Sequence, residues 1–443
     1  MACSFAGYKS SLPDWSVRRN VEALNMQDNT PRGEQNSSAY ISVLRNHRWM
    51  GKRFFLDDDG QLQKQANGLF SKGYVTVQNA SCAQELATLA QSLTPQDAFC
   101  LGQPRGANIF SAAPVATRQT QQALANRSVP ILSRTKDDFS FGLGEGWLLL
   151  DYDTRGLPEA VSSRIERLGG ILNALRYVWP ELDNGDFVVR PSSSAGVHVV
   201  GEPAPKISGF HMFVRLKRAA DIPQALKALH SRCWLHGLGY HMISKSGQLL
   251  DRSIVDITVG SPERLIFTAP PLLGEGIARE RQYAAVQQGV ALACPPAPFG
   301  AQWSRARDID RQSSQPDAAA QRSIYLHKSI EDRQASHGGS YAAAEAIVLN
   351  RIEGRQLLDD DVLQLSSGAT ANVGDILNQI KLGERISCAD PIEGREYNPT
   401  AAAVLWEPPH KFPALISHAH GELTRYGFAR FSPAKAKSVE AAL

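Results

Sequence analysis

Cysteine is scarce and scattered in this chain: six residues in 443 (Cys3, Cys82, Cys100, Cys233, Cys294, Cys388), with no Cys-x-x-Cys pair. That argues against a disulfide framework and a cysteine-rich zinc site, and points to a reducing, cytoplasmic compartment. Long apolar runs are missing too; none approaches the ~20 residues of a membrane span. The opening stretch, MACSFAGYKSSLPDW, has neither the basic start nor the apolar stretch of a signal peptide. No GxxxxGK[ST] occurs, so the sequence carries no P-loop. An excess of one charge is also absent: Lys and Arg number 47 against 44 Asp and Glu, a net charge of +3. This neither demands nor excludes nucleic acid, because a local basic groove suffices. What remains is an ordinary globular composition, 43% hydrophobic and 21% charged, without internal repeats and long enough for two to three domains.

Residues 1–38 are polar and rich in Asn, Ser and Arg, and read as a mobile arm. From Tyr40, AYISVLRNHRWMGKRFF looks helical, GYVTVQN alternates like a strand, and CAQELATLAQSLTP is an amphipathic helix stopped by proline. WLLLDYD, DFVVRPSSSAGVHVV, ISGFHMFVRL, SIVDITVG and RLIFTAPPLL read as strands. LPEAVSSRIERLGGILNALRYVWP and AADIPQALKALHSRCWLHGL read as helices. The alternation predicts an α/β (α+β) domain over residues 39–295. Residues 296–324 are rich in Pro, Ser, Gln and Arg and read as a linker; residues 325–443 read as a small C-terminal accessory domain that opens near the helix SYAAAEAIVLNRIEG.

The chemistry begins at GWLLLDYDTRG, residues 145–155. On a strand, Asp151 and Asp153 project together, a little under 7 Å apart. Carboxylates that close repel one another unless a cation neutralises them, and Mg²⁺ or Mn²⁺ prefers such oxygen ligands. The plain alternative is a strand-end turn in which the aspartates bond nearby N–H groups. In ISGFHMFVRL, His211 shares a face with Phe213 and Arg215 and follows Ser208-Gly209, where glycine permits close approach of a ligand. In LLDRSIVDITVGSPERLIF, a strand would put Val255, Ile257 and Val259 on the apolar face and Asp256 on the other. Asp251 falls on the opposite side by parity, a reserve candidate. Arg264, after a Ser-Pro turn, suits a phosphate or else a surface ion pair with Glu263.

Acid-x-acid on one strand, histidine on a second and aspartate on a third, in that order, resembles the archaeo-eukaryotic primase superfamily, the primase-polymerases. The resemblance runs over roughly residues 40–290 and rests on LLDYD, SGFHMFV and VDITVGSPERLIF. It implies a catalytic core with an RRM-like sheet beside a small α/β lobe. Carried over, Asp151, Asp153 and Asp256 become catalytic ligands of two divalent ions, Mg²⁺ or Mn²⁺. His211 becomes the catalytic contact to the nucleotide phosphates, with Ser208 as its companion and Arg264 at a basic position downstream of the third acid. The reaction implied is two-metal nucleotidyl transfer, in which paired ions activate a 3′-hydroxyl and stabilise leaving pyrophosphate. Its partners would be a single-stranded DNA template, nucleoside triphosphates and, without a P-loop, a separate replicative helicase; no membrane is implied. The setting would be replication of a phage, plasmid or mobile element in a bacterial cytoplasm. This chain departs from the pattern by an extra SSSAGVHVVGEPAPK before the histidine segment, whose serines suit phosphate, and by lacking a zinc-binding cysteine cluster.

CADPIEGREYNPTAAAVLWEPPHKFPALISHAHGELTRYGF resembles the segment that follows the primase domain in many phage and mobile-element primases, where an AHG and a later Tyr recur. It also supports a rival: His418-x-His420 on a strand, with Tyr426, is the pattern of a rolling-circle nickase or relaxase, although the tyrosine is only six residues away. A second rival is a non-catalytic DNA-binding replication accessory.

Overall fold

The structure is a computed structural model that describes residues 38–431 except 69, 71, 107–111, 118–119, 122–130, 155, 206–208, 281–283, 408–410 and 422. The arm expected over residues 1–38 lies, but for Ser38, outside the described residues. By packing the chain forms two units, Met1–Leu238 with Ile254–Pro298, and Gly239–Ser253 with Phe299–Leu443.

In the first unit the expected helix after Tyr40 is instead two strands, Tyr40–Asn46 (β1) and Gly51–Leu56 (β2). Ile41 and Val43 are β-branched, and Ile41 and Leu44 are fully buried once β1 joins the sheet. Pairing and burial outweigh the helical look of the segment. Trp147 to Leu150 are each at most 2% exposed, so their strand, Gly146–Tyr152 (β3), needs cover on both faces. It finds it in the middle of a nine-stranded mixed sheet with Phe187–Pro191 (β4) and Phe210–Leu216 (β5). The order across is Ala285–Gln287, β4, β5, β3, β1, Lys72–Asn79, Ala113–Ala116 and Leu132–Ser133, with Asp97–Cys100 also paired to β1. Two helices, Glu159–Arg167 and Ile171–Val178, split at Gly169-Gly170, connect β3 to β4; a third, Ile222–Leu235, follows β5.

SIVDITVG does not form the strand its alternation suggests. The strand there is Leu249–Ser253, paired with Gly239–Ile243. The chain then bends, and Asp256 caps a single 3₁₀ turn, Ile257–Val259. Ile254 and Val255 are both buried while Ile257 is 41% exposed, so the expected Val255–Ile257–Val259 face is not there. RLIFTAPPLL contributes only an Ile266–Phe99 bridge and the two-residue strand Leu272–Leu273.

The second unit has a five-stranded sheet, ordered Gln356–Leu357, Thr424–Phe428, Ala414–Ser417, Ala402–Leu405 and Arg385–Cys388. Its core includes Ile330, Val348, Ile352, Ile376, Val404 and Leu415. Residues 296–324 are not a linker: Gln302–His337 is one helix that runs through most of the segment. No glycine interrupts it until Gly338, which ends it at a φ of 68°. Its Gln, Arg and Ala residues are good helix formers, and the mostly polar composition of its first two-thirds disguised it as a connection, although Ala318 and Ile330 are buried. Among the described residues no helix is long and apolar enough to cross a membrane.

Candidate active site

Antiparallel pairing places Asp151 of β3 opposite His211 of β5, and His211 opposite Arg190 of β4. Partners across neighbouring strands share a face of the sheet. An acid, an imidazole and a guanidinium therefore stand in one row, with His211 Nε2 3.6 Å from Asp151 Oδ1. Asp153 follows just beyond the end of β3, and Asp256 comes from the bend after the Leu249–Ser253 strand. Burial first, then the charges of Asp256 and Asp153, pushes the Asp151 carboxyl up to about 6; Arg264 and Lys52 pull against that rise. Its side chain is still 38% open to solvent. Asp151, with two further carboxylates acting on it and an accessible edge, belongs to a donor set of the chemistry that a hard divalent cation prefers. Among the described residues no three His, Cys, Asp or Glu side chains stand together as a group that could hold a metal ion as they are placed.

The other end of the row is cationic. Lys52 on β2 donates Nζ to the Ser194 hydroxyl at 2.9 Å. Arg279 donates Nε to the Ala195 carbonyl at 3.1 Å and Nη2 to that of Ser192 at 3.3 Å. Arg190 Nη1 is buried with no hydrogen-bond partner. Burial, then the like charge of Arg279, pulls the Arg190 pKa down to about 10, and burial lowers that of Arg279. His211 is pulled down to about 4 by burial and then by Lys52 and Arg190, so its ring is neutral at pH 7. Its Nδ1 is also buried without a partner. Gly209 lets the serine loop in: a Cβ there would lie 3.1 Å from the Tyr152 carbonyl oxygen and 3.6 Å from Ser192 Oγ.

Of the residues singled out from sequence, Asp151, Asp153, Asp256, His211 and Arg264 come together. Ser208 lies outside the described residues. Asp251 belongs to the other unit, where Arg307 Nη1 approaches it at 3.4 Å. Arg264 is exposed and does not pair with Glu263; its Nη1 donates to the Thr258 carbonyl at 2.5 Å, and Glu263 instead accepts the Ser261 hydroxyl at 2.7 Å. Sequence reasoning missed Lys52, Arg190 and Arg279. Arg190 had a signal, since it immediately precedes the Pro-Ser-Ser-Ser stretch; Lys52 lay in a segment read as helix, and Arg279 had none.

His418 and His420 do not share a strand. Ala414–Ser417 ends before them, and His420 sits in a turn at a φ of 59°. Its ring packs on Tyr397 at 4.7 Å and its Nε2 lies 3.1 Å from Glu393. Tyr426 is 3% exposed, and burial, then Asp390, raises its hydroxyl pKa. The nickase pattern thus loses both its strand and an available nucleophile. No family model, no curated protein and no solved structure matches the chain.

Proposed function

We propose that the first unit is a primase-polymerase of archaeo-eukaryotic primase type. It would make or extend primers on single-stranded DNA from nucleoside triphosphates, during replication of a phage, plasmid or mobile element in a bacterial cytoplasm. The observation that carries this reading is the row Asp151–His211–Arg190: a carboxyl whose charge is disfavoured by burial and by neighbouring acids stands in line with an arginine whose Nη1 has no hydrogen-bond partner. A metal-bound triphosphate satisfies both deficits at once. The strand order β4–β5–β3, with helices crossing from β3 to β4, supports an RRM-like sheet.

Mg²⁺ or Mn²⁺ held by Asp151, Asp153 and Asp256 would supply Lewis-acid activation of the attacking hydroxyl and of the leaving pyrophosphate. The remaining work falls to the chain. Lys52, Arg190 and Arg279 neutralise phosphate charge, and Arg264 adds charge on the carboxylate side. Neutral His211 offers one ring N–H to a phosphate oxygen. The hydroxyls of Ser192 and Ser194 lie on the phosphate side. Unwinding would fall to a separate helicase.

The test is incubation of the full chain with Mn²⁺ or Mg²⁺, single-stranded template and labelled ribo- or deoxynucleotides, with and without primer. Template-dependent incorporation by the wild type and none by Asp151→Ala is the expected result. No incorporation by the wild type under any combination refutes the proposal.

A further inference from the structure

The three acids are not held alike. Asp151 lies on β3 and is paired there with His211 of β5, and Asp153 follows just beyond the end of that strand. Asp256 has no sheet to hold it and stands in the bend between the Leu249–Ser253 strand and a single 3₁₀ turn. One residue fixes both of its oxygens: Oδ1 accepts the Thr258 N–H at 2.8 Å, and Oδ2 accepts the Thr258 hydroxyl at 3.0 Å.

From these contacts we infer that Thr258 is a positioning residue for Asp256, a role that rests on the proposed metal site. The backbone bond alone would secure one oxygen and leave the carboxylate free to turn about its Cβ–Cγ bond. The hydroxyl removes that freedom. Each oxygen has about two lone pairs, so one on each remains for a cation. Threonine is stiff at χ1, which keeps the hydroxyl aimed.

Thr258 is itself braced. Its carbonyl accepts Arg264 Nη1 at 2.5 Å. Farther along the same loop, the Gly102 N–H donates to the Pro262 carbonyl at 2.9 Å. A Cβ at Gly102 would lie 2.5 Å from that oxygen, so only glycine permits the approach. Gly260 packs against Leu226, whose Cδ1 would be 2.7 Å from an added Cβ. The loop is tied down at several points, and Thr258 links them to the carboxylate.

A turn cap needs only the backbone bond; a positioning role needs the hydroxyl. Thr258→Val keeps the first and removes the second, while Thr258→Ser restores it. Mn²⁺ affinity is measured on the full chain without nucleotide by water-proton relaxation, alongside melting temperature. Loss of such a supporting partner typically weakens metal affinity about 10- to 100-fold, so Thr258→Val should bind Mn²⁺ at least about tenfold more weakly and Thr258→Ser within about threefold of wild type. Should valine fail to fold, Thr258→Ala gives the same readout. Equal Mn²⁺ affinity in Thr258→Val and wild type, with or without a lower melting temperature, overturns the inference and leaves the functional reading standing. If the wild type shows no Mn²⁺ binding that Asp151→Ala removes, the metal reading itself fails.

Discussion

Asp151 and His211 are close enough for an ion pair, yet their pKa values move the wrong way for one. Pairing would lower the acid and raise the histidine; burial instead drives both toward their neutral forms, the acid up to about 6 and the histidine down to about 4. At pH 7 the carboxylate is charged and the imidazole is not. For Asp151 the folded pKa lies above the ordinary 3.8, so its contribution to stability is fully present below that value and is lost as pH rises through about 6. Asp151→Asn should therefore melt above the metal-free wild type at pH 7.5, and the difference should vanish near pH 4. Added Mn²⁺ should raise the melting temperature of the wild type alone. Equal melting curves at both pH values would contradict the repulsion argument. His211→Ala removes a hydrogen bond to a charged phosphate, typically ~1.5–3 kcal/mol, so nucleotide use should weaken about 10- to 100-fold. Template affinity and melting temperature should barely change. A lower melting temperature with unchanged nucleotide affinity would make the histidine structural instead.

At the scale of elements, register decides what meets what. A slip of one residue between β3 and β5 would turn His211 away from Asp151. The same alignment leaves Arg190 half-buried with its Nη1 lacking a hydrogen-bond partner among the described residues, which is costly for a charge. Arg190→Met, similar in length and uncharged, should raise the melting temperature of the nucleotide-free protein while weakening nucleotide binding. A variant that is less stable and binds nucleotide normally would show that Arg190 serves packing instead. The hairpin Gly239–Ile243 and Leu249–Ser253 separates two acids that lie five residues apart in sequence. Asp251 stays on that hairpin with Arg307, and Asp256 lies beyond it. Asp256→Ala should abolish incorporation and Asp251→Ala should not; primer extension with equal amounts of folded protein checks the ranking.

For the whole molecule, the telling feature is that the second unit takes a hairpin from the middle of the first. Asp310 accepts both the backbone N–H and, at 2.8 Å, the ring Nδ1 of His241, while Arg252 donates to the His420 carbonyl at 2.7 Å. Truncation after Pro298 strips the hairpin of these partners and should give a poorly soluble product. Leu238 and Ile254 meet at the hairpin's base, the Ile254 N–H donating to the Leu238 carbonyl at 3.2 Å. Replacing residues 239–253 with a short glycine turn in the truncated chain should restore soluble, cooperative unfolding. Solubility and thermal melts of the two truncated forms compare directly, and equal behaviour would show that the hairpin does not need its partners.

The sequence alone was enough for β3 and β5, because unbroken apolar runs and clean alternation survive any packing, and for the helices Ala83–Ser92 and Tyr341–Ile352. It also singled out Asp151, Asp153 and His211, since side-chain parity along a strand and a short acid spacing are local information; Asp256 was reached through the parity of a strand that does not form. Tertiary structure decided the rest. β1 and β2 became strands because partners were available to bury them, and SIVDITVG gave up its alternation because its ends belong to different units. The cations opposite the acids come from β2, β4 and the Ile277–Arg279 strand, far apart in sequence. Charge complementarity of that kind depends on distances between strands, which no spacing along the chain encodes.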